Sequence, residues 1–328
     1  MMRFKFTFRI LLLLASAVTS SQAQTCSCAG APLISSQSTG TSAAGNLLAG
    51  ITYEYHDISA MYSGTTLLSD ETVTRTTQSI LLEINYGITD RLSVSGTFSY
   101  VDKDRTTGLH LPSGGSTVST SGPGDGVFLM RYALIQQTLW NPWQLAAGAG
   151  AKAPIGTASL KRNGFTMNAD MQPGTGAWDG VIWTLLSRPV LPDRLSAFIT
   201  SSYRYTGSND RFADGDRYMF GNELVMDTGA SGRLTEWLSY MFTLRYRSTS
   251  SDKRNDSTLP NTGGNWLSLV PALNLTASER FSFRLSGRIP VRQDLNGTQP
   301  TTSYAVSGSL FISFNRNTTN GFDYGKPE

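Results

Sequence analysis

Apolar and polar residues alternate singly along much of this chain. The clearest case is Leu92-Ser93-Val94-Ser95-Gly96-Thr97-Phe98-Ser99-Tyr100, where every second position is Ser or Thr. Such a period of two places apolar side chains on one face of a β-strand and polar ones on the other. Twelve runs of strand length carry the pattern, centred on Leu47–Tyr55, Ser79–Tyr86, Leu92–Tyr100, Val127–Leu134, Gln144–Lys152 and Trp178–Leu186, then Leu195–Tyr205, Tyr218–Met226, Leu238–Arg247, Trp266–Leu275, Phe281–Ile289 and Tyr304–Phe314.

The connections between runs are of two kinds. Thr89-Asp90-Arg91-Leu92-Ser93, Pro192-Asp193-Arg194-Leu195-Ser196, Thr235-Glu236-Trp237-Leu238-Ser239 and Ser278-Glu279-Arg280-Phe281-Ser282 are near-copies, and Asn141-Pro142-Trp143-Gln144-Leu145 is a looser fifth. Each joins two runs almost without a gap and reads as a tight turn between antiparallel strands. The intervening connections, near 57–75, 102–124, 154–177, 207–216, 250–264 and 292–302, are long and rich in Ser, Thr, Gly, Asp and Asn. Short turns at one end and long polar loops at the other predict an all-β fold, a transmembrane antiparallel β-barrel of about 12 strands. The short turns would be periplasmic and the long loops extracellular.

Aromatic placement agrees. Tyr53, Tyr55, Tyr100, Tyr203, Tyr205, Tyr218 and Tyr246 fall at the loop ends of the runs, and Trp140, Trp143, Trp237 and Phe281 at the turn ends. Two aromatic bands around an aliphatic zone match the two lipid–water interfaces. Only alternate residues of a barrel strand meet lipid, so a hydrophobic content of 39% is enough.

The N-terminal stretch carries Arg3, Lys5 and Arg9, then Ile10-Leu11-Leu12-Leu13-Leu14-Ala15, then Ser21-Gln22-Ala23. Basic flank, short apolar run and small residues are the parts of a secretory signal, expected to be cut after Ala23. Residues 1–23 are thus read as signal, 24–45 as a flexible periplasmic segment, 46–314 as the barrel and 315–328 as a polar tail. Loss of the signal removes three bases from 27, leaving 24 of each sign, so the high isoelectric point partly belongs to the signal. No basic patch interleaved with aromatics is present, which argues against a nucleic-acid partner.

Three segments occur in order: Gly122-Pro123-Gly124-Asp125-Gly126, leading to Arg131-Tyr132-Ala133-Leu134; Ala151-Lys152-Ala153-Pro154-Ile155-Gly156; and Gln172-Pro173-Gly174-Thr175-Gly176-Ala177-Trp178-Asp179. Together they resemble the outer-membrane proteins grouped with meta-pathway phenol degradation, often labelled transporters. The resemblance spans about Leu47 to Phe314 and implies an outer-membrane location and a small-molecule permeant. The last run, Tyr304–Phe314, resembles the final-strand signal of outer-membrane barrels, although the chain continues to Glu328.

Enzyme and cofactor signatures are weak. The two histidines, His56 and His110, stand in Tyr55-His56-Asp57-Ile58-Ser59 and His110-Leu111-Pro112-Ser113-Gly114-Gly115. Neither carries the His-x-Ser-Asn-Gly pattern of outer-membrane phospholipase A, another barrel family, so no catalytic residue is assigned. Gly148-Ala149-Gly150-Ala151-Lys152 lacks the ending of a phosphate-binding loop. Asp210, Asp214 and Asp216 could offer oxygens to calcium, but suit an ordinary solvated loop better, and no metal or cofactor is expected. Cys26 and Cys28, the only cysteines, follow the expected cleavage site and are candidates for a redox or partner role in an oxidising periplasm.

The strongest chemical signal is the charge carried on the polar phase. Glu54, Glu83, Arg131, Arg204, Glu223, Arg245, Arg247, Arg284 and Arg288 should face the lumen, with Arg204, Glu223 and Arg245 on consecutive strands able to pair. Interior charges of this kind select permeants in channels. They predict a porin-like transporter for small molecules, and the family resemblance implies aromatic or hydrophobic compounds among them. The alternative is a non-transporting scaffold or docking barrel for a periplasmic or surface partner, using Cys26 and Cys28. A membrane-embedded lipid hydrolase is a minor third reading.

Overall fold

The repeated turn motif has a direct physical basis. In Thr89, Thr235 and Ser278 the side-chain hydroxyl accepts the backbone N–H three residues on, from Leu92, Leu238 and Phe281, at 2.9, 3.0 and 3.1 Å. The backbone N–H of each returns a bond to the carbonyl of that same residue, at 3.1, 3.0 and 3.2 Å. Such hydroxyl-closed turns satisfy the backbone locally and fix strand register. The looser fifth copy belongs three residues earlier than the sequence suggests: Thr138 makes both bonds, with Asn141, at 3.0 and 2.8 Å.

These turns join the strands of a closed barrel in the computed structural model, which describes residues 41–69, 72–109, 115–138, 140–191 and 194–314. Its strands are β1 (Leu47–Asp57), β2 (Val73–Gly87), β3 (Leu92–Thr107), β4 (Gly126–Ile135), β5 (Gln144–Ala153) and β6 (Asp179–Leu191), followed by β7 (Leu195–Thr206), β8 (Glu223–Arg233), β9 (Leu238–Thr249), β10 (Gly264–Thr276), β11 (Phe281–Thr301) and β12 (Tyr304–Phe314). Each pairs antiparallel with its sequence neighbours, and β12 closes on β1 through Leu47↔Phe314 to Asp57↔Tyr304. Eleven of the expected runs coincide with barrel strands; of the eighth, 218–226, only Glu223–Met226 belongs to the barrel, its first part lying in a small separate sheet. Every strand has at least 10 residues, enough to cross a bilayer when tilted. The signal segment, Cys26, Cys28, His110 and the tail from 315 lie outside the described residues.

Alternation sets inside from outside as expected. Leu244 and Leu285 are exposed on the outer face, while Thr243 and Ser286, one residue away, line the interior. The outward band also includes Ile51, Ile80, Leu82, Ile182 and Val306. Apolar outward side chains on a closed barrel satisfy both demands of a bilayer, since no backbone edge is left to lipid.

Three expectations need correction. Tyr218 is not in the outer aromatic band: it is 2% exposed, on a short strand before β8, packed between Phe212 and Phe220. β11 does not stop at Ile289 but runs to Thr301, because the alternation is interrupted by a bulge beside Pro290, where the partner register slips between Leu267 and Ser268. The connection over 154–177 does not simply face outward; its middle folds into the barrel mouth.

Part of the interior is apolar. Leu129, Ala146, Val181, Trp183, Leu185 and Phe198 form a buried cluster against one wall. β5 makes room for it with the inward small residues Ala146, Gly148 and Gly150. A Cβ on Gly148 would lie 2.7 Å from the carbonyl oxygen of Met130 and 3.0 Å from the Arg131 side chain. That space lets the Arg131 guanidinium lie over the Trp183 ring, 5.4 Å from its centroid. The Gly-Ala run set aside as a nucleotide site is thus a thin wall segment.

Candidate functional site

The three segments that carry the sequence resemblance meet in space. Asp125, 1% exposed, accepts bonds from the backbone N–H of Gly156 at 3.2 Å, and from the N–H and hydroxyl of Thr175 at 2.9 and 2.6 Å. Lys152 binds the same carboxylate at 2.8 Å, reaches Asp179 at 3.1 Å, and also donates to Thr175. Gly174 is required here, since a Cβ would come within 2.8 Å of Asp125 and of the Gly156 backbone. The knot pins both ends of the 154–177 connection to the barrel rim.

From this base the connection dips inward. Ala169–Met171 form a single 3-10 turn, with Asp170 and Met171 each 1% exposed. Three bases from β2 and β3 hold it. Arg75 binds the Asp170 carboxylate at 2.9 Å and its backbone carbonyl at 2.6 Å, and Arg105 pairs with the same carboxylate. Lys103 donates to the carbonyls of Asp170 and Gln172 at 2.8 and 2.7 Å, and the Thr120 hydroxyl to that of Met171 at 2.6 Å. Inside, Gln172 braces the loop by bonding Leu160 and Met167. The result is a plug held by charge and hydrogen bonds on the side of β2 and β3, while its Ala169 packs into a buried apolar cluster with Phe212, Tyr218 and Phe220.

Ion pairing continues around the wall. Asp179 faces Arg204 at 3.9 Å, Arg204 faces Glu223 at 3.6 Å, and Glu223 meets Arg247 at 2.5 Å. Arg247 then lies over the Trp266 ring, 4.9 Å from its centroid. A belt of charges of alternating sign thus runs from Lys152 of β5 through Asp179, Arg204 and Glu223 to Arg247 of β9, and buried charges are tolerated only with such mutual pairing.

Below it the lumen narrows to a waist with a cavity of about 80 Å³, lined by Glu54, His56, Glu83, Asp227, Arg245, Arg284 and Arg288. Arg245 makes a two-pronged pair with Asp227 at 2.8 and 2.7 Å. His56 bonds Glu54 at 3.4 Å, not a serine hydroxyl. Toward the short-turn end lies a second space of about 700 Å³, and Met241 and Arg284 line both.

All nine charged residues chosen from sequence lie on the inward side. Arg204, Glu223 and Arg247 lie in the belt, Glu54, Glu83, Arg245, Arg284 and Arg288 at the waist, and Arg131 stands apart against Trp183. Asp125, Lys152, Asp179, Asp227, Arg75, Lys103, Arg105 and Asp170 were not anticipated. Asp227 was within reach, since it shares the phase of Glu223. The aspartates weighed for calcium are each taken by a base, Asp210 by Arg217 at 3.4 Å, Asp214 by Lys161 at 2.6 Å and Asp216 by Arg254.

No known family model and no curated protein sequence matches this chain. Its structure is similar to that of an outer-membrane channel from Pseudomonas putida F1, at 13% identity and a TM-score of 0.69, over 86% of this chain and 100% of that one. Weaker likenesses include the transport unit of the autotransporter AIDA-I from Escherichia coli (11% identity, TM-score 0.46, 83% of this chain and 90% of that one) and the toluene transporter TbuX of Ralstonia pickettii (11%, 0.42, 84% and 90%). The first comparison establishes the fold: a closed twelve-stranded outer-membrane β-barrel.

Proposed function

We propose that the protein is an outer-membrane transporter that passes small molecules through the barrel interior, with the 154–177 plug controlling the outer mouth. The observation that carries this reading is how the interior is filled. The mouth is closed by a loop rather than by the barrel wall itself, and the loop's inward residues are held by Arg75, Lys103 and Arg105. Charged side chains also line the waist and the second space on the short-turn side of the plug. Glu54, Glu83, Asp227, Arg245, Arg284 and Arg288 then set which molecules pass the waist. The short-turn end is periplasmic in this reading.

A channel-type fold and the outer-membrane channel from Pseudomonas putida F1 support the same direction. The test is the swelling of liposomes containing purified protein in an isosmotic solution of a neutral sugar such as arabinose. Swelling faster than in protein-free liposomes is expected. Rates equal to the protein-free control, for both the native chain and Asp170→Asn, would end the transport reading.

A further inference from the structure

Above the plug lies a cavity of about 610 Å³, within the range of ordinary small-molecule pockets. Its apolar lining includes Met61 and Val118 from two loops, Val73 of β2, Pro300 of β11 and Met167 and Met171 of the plug, interleaved with the polar Thr107, Thr166, Asn168, Asn261 and Thr298. Two charged side chains line it among the described residues, Arg105 and Arg162, and both are bases. A chamber that mixes apolar and uncharged polar walls, and whose only lining charges are basic, is complementary to an amphipathic anion.

The mouth is shaped by a small hairpin. Lys161–Arg162 pairs with Phe165–Thr166 across Asn163 and Gly164, whose φ values of 51° and 83° are those of a tight two-residue hairpin turn. Arg162 and Phe165 are directly opposed in that pairing, so a guanidinium and a ring stand side by side over the cavity. Phe165 is 79% exposed, a large aromatic face with nothing yet covering it. Lys161 ties the hairpin to the neighbouring loop through Asp214 at 2.6 Å, so the pair is held in place before any ligand arrives. Arg105, the least buried partner of Asp170, marks the floor.

We propose that this cavity is a capture site for amphipathic carboxylates, aromatic acids above all, with Phe165 taking the apolar body and Arg162 and Arg105 the acid group. The proposal rests on the transport reading and names the class of permeant it serves. Aromatic rings supply contact area at low entropic cost, and guanidinium binds carboxylate in two-pronged fashion, so ring and acid are recognised together.

The probe is naphthalene-2-carboxylate, with 2-naphthalenemethanol as its uncharged counterpart. Binding is measured by equilibrium dialysis against the full protein in nanodiscs, with empty nanodiscs subtracted to remove lipid partitioning. The native protein should bind the acid saturably at one site and the alcohol at least tenfold more weakly. Arg162→Ala and Phe165→Ala, both on an exposed hairpin, should each weaken the acid at least tenfold, with heat-modifiable gel migration confirming a folded barrel. No saturable binding above empty nanodiscs, equal affinity for acid and alcohol, or unchanged affinity in both variants would overturn the proposal. Arabinose influx into proteoliposomes separates the two ideas. Influx without capture of the acid removes this site alone, whereas capture without influx keeps the site and removes transport.

Discussion

At the scale of single residues, the interior is governed by buried charge pairs, and the cost of breaking one is set by what is left behind. Lys152→Met would strand the Asp125 carboxylate, 1% exposed, and leave Asp179 with Arg204 alone at 3.9 Å. Leaving a buried ion uncompensated costs about 3–5 kcal/mol. Because Asp125 also anchors Gly156 and Thr175, the loss should appear first as release of the plug. Limited proteolysis checks this: cleavage within 154–177 should accelerate in the variant while the barrel strands stay protected.

Asp252 offers a second residue-scale test, in the outer loops. Burial pushes its carboxyl up to about 6 from an ordinary 3.8, against the opposing pull of bonds from the Tyr218 hydroxyl at 2.6 Å and the Gly221 N–H at 2.8 Å. A raised carboxyl pKa means the folded form holds its proton more tightly than the unfolded chain. Its contribution is therefore full below about pH 4, is lost as pH rises to about 6, and amounts to about 3 kcal/mol. Hydrogen exchange of the 208–220 amides, corrected for intrinsic rate, should show protection falling across that window. Asp252→Asn, whose amide can still accept from Gly221 and donate to Tyr218, should flatten the change.

At the scale of elements, what could be read from sequence depended on whether the two faces of a strand differ. β3, β9 and β11 alternate Ser, Thr or Arg with Leu, Phe or Tyr, so their inward and outward faces were legible before any coordinates. β6 was not, because Val181, Trp183 and Leu185 point inward while Ile182 and Leu186 point out, and an apolar residue on both faces leaves no alternation to follow. The far half of β11 was hidden by the bulge at Pro290, which shifts the phase. The legible faces give a sharp prediction. Leu285→Arg should cost about 2–4 kcal/mol where the residue lies near the bilayer centre, and Ser286→Arg much less, because the lumen can solvate it. Urea unfolding in lipid vesicles measures both, and equal penalties would invalidate the inside–outside assignment.

At the scale of the whole molecule, closure of the sheet follows from the repeated turns and the even strand number, both visible in the sequence. The plug does not follow from them. Asp170 and its bases Arg75, Lys103 and Arg105 are separated by 65 to 95 residues, and nothing in the local pattern of the 154–177 loop marks Asp170 as a fold-in point. The glycine-rich segments at 122–126, 151–156 and 172–179 did carry a signal, read only as turns. Their common purpose at Asp125 emerges from the three-dimensional arrangement. Sequence therefore marks the wall of this molecule, and long-range charge pairing makes its gate.

That division leads to one decisive comparison, single-channel recording of the native protein and Asp170→Asn in planar bilayers. The substitution keeps the size of the side chain but leaves Arg75 and Arg105 without the shared negative charge that draws them to the plug. If the latched loop closes a continuous lumen, the native protein should spend most of its time in a low-conductance state. Asp170→Asn should open several-fold more often or to several-fold higher conductance. Indistinguishable traces from the two proteins, or no conductance from either, would contradict the account.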